Sequence, residues 1–250
     1  MATYLRQLSG PQRSALGNQR LGRLLAFTAG AINAGGYLVV RQYTSHMSGI
    51  VSSIADNLAV GALEPVLLAA AALAAFLAGA ACCSLLVNAG RRLVRHSLYA
   101  LPLLVEASLI SLFAVLSAAA LQRQAEANAA LVALLCFMMG FQNAIITKIS
   151  RAEIRTTHVT GLVTDIGIEL GRGMYGHLAN GSPGQETVQA DRAKLRLLAS
   201  LLGMFFTGAV AGALGFKHLG GMAALLPAAL LAVAAAVPMA DDLALLLQRK

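Results

Sequence analysis

The hexapeptide TSHMSG at Thr44–Gly49 returns as TTHVTG at Thr156–Gly161, and each copy follows an apolar segment that carries Gly-x-x-Asn-Ala. The pentads are GAINA at 30–34 and GFQNA at 140–144. Repetition at this period constrains the fold before any single residue does, because both copies must build the same structural unit. The match continues in order through each half. Phe-x-x-Gly-Ala occurs at 76–80 and 205–209, and Leu-Pro at 101–102 and 226–227. Each match is weak alone in a chain rich in Ala, Gly and Leu. Their shared order marks a duplication.

Hydrophobic residues form 58% of the chain and charged residues 12%, about half the charged share of a soluble domain. Apolar runs near 22–40, 64–88, 97–121, 128–148, 197–216 and 220–239 each approach the roughly 20 residues a membrane-spanning helix needs. The first run is not read as a cleaved signal peptide, because its pentad recurs inside the fourth run and five more runs follow. The expected fold is therefore an all-α polytopic membrane protein of six spans. Its parts are a segment 1–21, a first unit 22–121 and a second unit 128–240. Cys82, Cys83 and Cys136 all fall in apolar runs without metal-ligand spacing, so reduced thiols, no metal and no cofactor are expected.

The cations are strongly one-sided. With a cytoplasmic N-terminus, 16 of the 19 Lys and Arg residues lie on the cytoplasmic side, and only Arg41, Arg123 and Lys217 lie opposite. The positive-inside rule then places both termini in the cytoplasm. Anionic lipid headgroups are natural counterions for the net charge of +8, and no basic soluble domain exists to bind nucleic acid. Three spans per unit is an odd number, so the second unit enters from the opposite side. The expected arrangement is a three-plus-three inverted-topology repeat, in which corresponding interrupted helices build a substrate site.

The two Thr-x-His motifs are those interruptions. Thr44, Ser48 and Gly49, like Thr156, Thr160 and Gly161, are residues that cap helices or bend chains. Amphipathic segments follow. The first sets Ser52, Ser53, Asp56 and Asn57 on one face, and the second aligns Asp165, Glu169 and Arg172. Each reads as a broken or re-entrant helix after the first and fourth spans.

GAINAGGYLVV with TSHMSG, and GFQNAIITKIS with TTHVTG, resemble the paired signatures of the YoaK-like family of bacterial inner-membrane proteins, a domain of unknown function. The resemblance spans roughly 22–240 and implies a multi-span inner-membrane protein. The chain departs from the pattern at Asn33, where the family often has Asp, and at Ile50, where Asn commonly follows the glycine.

Each polar candidate has two readings. Asn33 and Asn143 either bind a ligand or hydrogen-bond between helices. His46 and His158 either shuttle protons or bond the carbonyls freed at the breaks. Asp56, Asp165 and Glu169 either couple an ion, a proton or sodium, or form solvated faces, and Arg172 can pair with Glu169. Glu106 lies inside the third span and has an apolar counterpart in the second unit, so it is either functional or snorkelling near a helix end. Gly30, Gly35, Gly36, Gly79, Gly208 and Gly212 are expected at close helix crossings.

No HExxH, GxSxG, Walker loop, CxxC or dinucleotide fingerprint occurs, so no enzyme is expected. The duplicated polar motifs point to a small secondary transporter or permease for a small solute. Helix N-termini at the breaks favour an anionic group on it. The alternative is a non-transporting membrane protein: a channel-like or accessory subunit, or an intramembrane enzyme. Small-residue faces make a homodimer compatible with either. The polar insertion at about 177–196 separates the second motif from the fifth span.

Overall fold

The computed structural model describes residues 14–93, 99–120, 126–150, 154–179 and 188–247, and every regular element among them is helical. Residues 1–13, Arg95, Arg123, Arg151, Arg249, Lys250 and residues 180–187 of the insertion lie outside the described residues. Helix α1 (Ala15–Val40) begins at Ser14, whose hydroxyl accepts the Gly17 N–H at 3.0 Å. It ends at Arg41, in the left-handed region at φ 58°, whose N–H donates to the Tyr37 carbonyl. There follow α2 (Met47–Ala59), α3 (Leu63–Leu93), α4 (Ala100–Ala120), α5 (Glu126–Ser150), α6 (Val159–Ala179), α7 (Arg192–Leu219) and α8 (Leu225–Leu247). A 3-10 turn, Gly220–Ala224, joins the last two.

Among the described residues, five helical stretches are long and apolar enough to cross a bilayer: Ala15–Val40, Leu63–Gly90, Ala100–Ala119, Ala129–Ser150 and Arg192–Ala240. The chain is thus an all-helical, multi-pass membrane protein. The fifth stretch, 49 residues long, holds the fifth and sixth expected spans together. Gly220, at φ 59°, stops α7 there, and the 3-10 turn redirects the chain into α8. In α3 the long side chains of Leu67, Leu77 and Leu85 are exposed. Such a surface suits hydrocarbon rather than water.

The most extensive packing joins helices from different halves, α1 on α7 and α3 on α5. Glycine makes both crossings. A Cβ on Gly30 would overlap the Phe205 carbonyl, and one on Gly208 would overlap that of Phe27. At the other crossing, a Cβ on Gly140 would overlap the Phe76 carbonyl and one on Gly79 that of Phe137. The pentad glycine of each half therefore docks on the Phe of the other half's Phe-x-x-Gly-Ala. Small residues let backbones approach this closely where lipid supplies no hydrophobic drive for helices to associate. Gly35 and Gly212 serve the α1–α7 seam too, against the Phe216 ring and the Ala31 carbonyl. Gly36 meets only Leu135 side-chain atoms, the nearest at 3.1 Å.

Further contacts link the halves: α4 packs on α8, on α5 and on the 3-10 turn, and α1 on α5. Helix α2 lies on α3 and α6 on α7. The shared core includes Leu25, Ile32, Phe113, Leu135, Phe141 and Ile145, all fully buried. Cys82, Cys83 and Cys136 are free thiols, as expected.

Candidate functional site

After α1 and α5 the chain doubles back. Ser45 Oγ donates to Asn33 Oδ1 at 2.9 Å, and Thr157 Oγ1 donates to Asn143 Oδ1 at 2.6 Å. Asn33 and Asn143 each sit about two turns before the end of their helix. At 1.5 Å per residue, each break therefore returns about 10 Å alongside the helix it has just left. Helices α2 and α6 start from that depth. Asn143 Nδ2 also donates to the Met139 carbonyl, which fixes the amide in its own helix.

Both breaks open on one cavity of about 720 Å³. The first copy contributes Asn33, Ser45, His46 and Ser48, and the second contributes Asn143, Thr157, His158 and Thr160. Phe76 from α3 and Phe205 from α7 add apolar walls. These are the same two phenylalanines whose carbonyls receive the pentad glycines, so the close crossings also set the cavity's width. Gly49 has its own local reason: the His46 ring lies over it, and a Cβ would come within 2.7 Å of His46 Nδ1. Glycine there lets the imidazole fold across the first turn of α2.

The remaining expected residues lie elsewhere. Thr44 and Thr156 are buried and do not line the cavity. Asp56 is exposed on α2, and Asp165 is half-buried on α6. Glu106 is fully buried on α4. Glu169 is covered by its partners at a shallow position between α6 and the start of α7. It accepts the Asp191 backbone N–H at 3.0 Å, Arg172 Nη1 at 3.1 Å and Lys194 Nζ at 3.2 Å. The Arg172 pairing was expected from helical spacing. Asp191 and Lys194 lie at the far end of the insertion, 22 and 25 residues on, out of reach of that periodicity.

The Asp191 N–H first, and then the side-chain contacts with Lys194 and Arg172, hold the Glu169 carboxyl below its ordinary range. A carboxyl whose folded value is depressed stabilises the fold above its unfolded value, and that contribution is lost as pH falls through the folded value. Glu169→Gln is thus expected to lower the melting temperature at neutral pH. The gap from the unchanged chain should close as pH falls through and below the ordinary glutamate value of 4.5. A gap that stays constant with pH would mean that the carboxylate charge is not what holds α6 to α7. His158, outside the apolar stretches, is held below the usual histidine range by partial burial and then by the Arg155 cation.

Sequence reasoning missed Ser45 and Thr157, the donors to the two asparagines, and the wall residues Phe76 and Phe205. Ser45 and Thr157 occupy the same position of the two hexapeptides, and that shared hydroxyl was the available signal.

The lining includes no Asp, Glu, Lys or Arg among the described residues. It offers amide, hydroxyl and imidazole groups, together with residues of the first turns of α2 and α6, and helix N-termini attract negative charge. Among the described residues no cluster of three His, Cys, Asp or Glu side chains could hold a metal ion. No curated protein and no solved structure matches the chain. A family model described as "Protein of unknown function (DUF1275)" matches residues 21–237. The paired signatures, the helical membrane fold and this match over nearly the whole length agree: the chain belongs to the DUF1275 family, as its YoaK-like motifs imply.

Proposed function

We propose that this protein is a small secondary transporter of the bacterial inner membrane, its halves forming a three-plus-three inverted repeat that takes a small anionic solute through alternating access. The observation that carries the reading is the cavity to which both copies of the Asn and Thr-x-His motifs contribute equivalent residues. A burial site for polar groups in lipid needs mutual pairing or a ligand. Here the asparagine oxygens are paired with Ser45 and Thr157, while His46, His158 and the first-turn residues Ser48 and Thr160 line the open space. A proton or sodium ion is the coupling species in this reading, and the lipid bilayer is the only macroscopic partner it requires.

The crossings suggest which parts move. Gly30 and Gly208 bind α1 to α7, and α6 lies on α7. Gly79 and Gly140 bind α3 to α5, and α2 lies on α3. The rigid units are then α1–α6–α7 and α2–α3–α5, each mixing both sequence halves. Asn33, His158 and Phe205 belong to one unit, Asn143, His46 and Phe76 to the other. Rocking one against the other would open the cavity to alternate sides without breaking a glycine seam.

Two measurements test this. Reporter fusions after residue 185 and at the C-terminus should both read cytoplasmic, as the 16 to 3 cation split requires. A periplasmic reading at either place removes the inverted six-span arrangement. Uptake by proteoliposomes, screened with small inorganic and organic anions beside neutral and cationic controls, should show saturable, anion-selective accumulation. Flux that never saturates and tracks only the electrochemical gradient would instead make the protein a channel.

A further inference from the structure

Glu106 stands apart from the cavity. It is fully buried in α4, in an apolar core to which Leu103, Ala107 and Ile110 of the same helix contribute. Neither carboxyl oxygen has a hydrogen-bond partner. An ionised carboxylate there would bear its whole desolvation cost with nothing to offset it, whereas the neutral acid bears far less. The titratable groups around it are few. Cys83 on α3 lies within its electrostatic reach, and Lys148 on α5 acts on the same thiol without bonding to either Glu106 oxygen. The 3-10 turn and α8 contribute no titratable side chain between Gly220 and Ala240.

Packing does not require an acid at this place. Aligned on the two Leu-Pro pairs, Glu106 falls opposite Leu231, which is also fully buried. Its surroundings do tie it to the cavity. Helix α4 packs along α5 and touches α3. These two helices cross through Gly79 and Gly140 and bring Phe76 and Asn143 to the cavity wall.

We propose that Glu106 is a proton-binding site whose occupancy is linked to the position of the α3–α5 unit. In the conformation described, the carboxyl holds its proton. When α4 and α5 part enough to admit water, the O–H bond breaks, the proton passes to that water and the electron pair stays on the carboxylate. The bound proton stands on burial and missing partners alone. Its linkage to transport rests on the transporter reading above.

Infrared spectra of the full-length protein in lipid, at neutral pH, test the first part. The difference between the unchanged chain and Glu106→Gln should contain the C=O stretch of a protonated carboxylic acid. A difference confined to the ionised carboxylate bands overturns the proposal. Should Gln be poorly tolerated, Glu106→Leu, which copies Leu231, serves the same comparison. The second part is read with any solute that the uptake screen finds. In Glu106→Gln, accumulation driven by a pH gradient should be lost, while exchange of labelled for unlabelled solute continues. Retained gradient-driven accumulation refutes the linkage. If no solute is transported at all, the transporter reading fails, and the infrared difference still decides whether Glu106 holds a proton.

Discussion

Alanine at Gly30, Gly79, Gly140 or Gly208 is expected to destabilise the folded protein by about 1–3 kcal/mol each, and valine by enough to prevent a monodisperse preparation. At each position the added Cβ would overlap a backbone carbonyl, of Phe205, Phe137, Phe76 and Phe27 respectively. A side chain could rotate away; a carbonyl fixed in a helix cannot, so the two helices must separate. Gly203→Ala and Gly167→Ala are the controls. They lie in α7 and α6, and a Cβ at either meets nothing within 4 Å. Replacing glycine there removes backbone freedom from the unfolded chain and should be neutral or stabilising by up to about 1 kcal/mol. Thermal unfolding in detergent, followed by size-exclusion chromatography, reads both outcomes. Equal effects at crossing and control positions would show that helix propensity, not close approach, governs these glycines.

The double seam explains why some of the fold was legible in the sequence and some was not. Gly30 with Gly140, and Phe76 with Phe205, are visible as repeats because each must perform the same contact twice. What similarity reveals, however, is which residues are equivalent, not which ones touch. Gly30 touches Phe205 in the other half, not its counterpart Gly140, and no comparison of the halves says so. Composition likewise delimits the apolar runs: the sequence separates 197–216 from 220–239, and the 49-residue helical stretch is divided there by Gly220, at φ 59°, and the 3-10 turn.

The candidate site shows the same division. The asparagines and histidines were legible as rare polar groups in repeated motifs, and the cavity gathers all four. The acids were not separable by sequence. Asp56, Asp165, Glu106 and Glu169 all read as polar residues in or near apolar helices. Their fates differ because burial and partners are tertiary properties: exposed, half-buried, buried without a partner, and clasped by a lysine from the far end of the insertion.

Asn143→Ala is expected to reduce uptake of a transported solute about tenfold or more while leaving expression nearly unchanged, since losing a polar contact to a bound group costs about 1–3 kcal/mol. The amide has a structural task as well, because its oxygen accepts from Thr157. Thr157→Val separates the two. It removes the donor but keeps the amide in the cavity, so it should cost stability comparable to Asn143→Ala and much less activity. The double variant should then match Asn143→Ala in uptake. The first half supplies a built-in repetition of the experiment, with Asn33 accepting from Ser45. If one cavity faces the two sides in turn, Asn33→Ala should impair uptake to a similar degree, because each asparagine meets the solute in every cycle. His158→Ala should join them, its ring facing the same space. If these variants lose thermal stability and keep full specific activity, the asparagines hold the breaks in place and nothing more. The cavity would then be a packing consequence of two re-entrant loops, and the transporter assignment would lose its support.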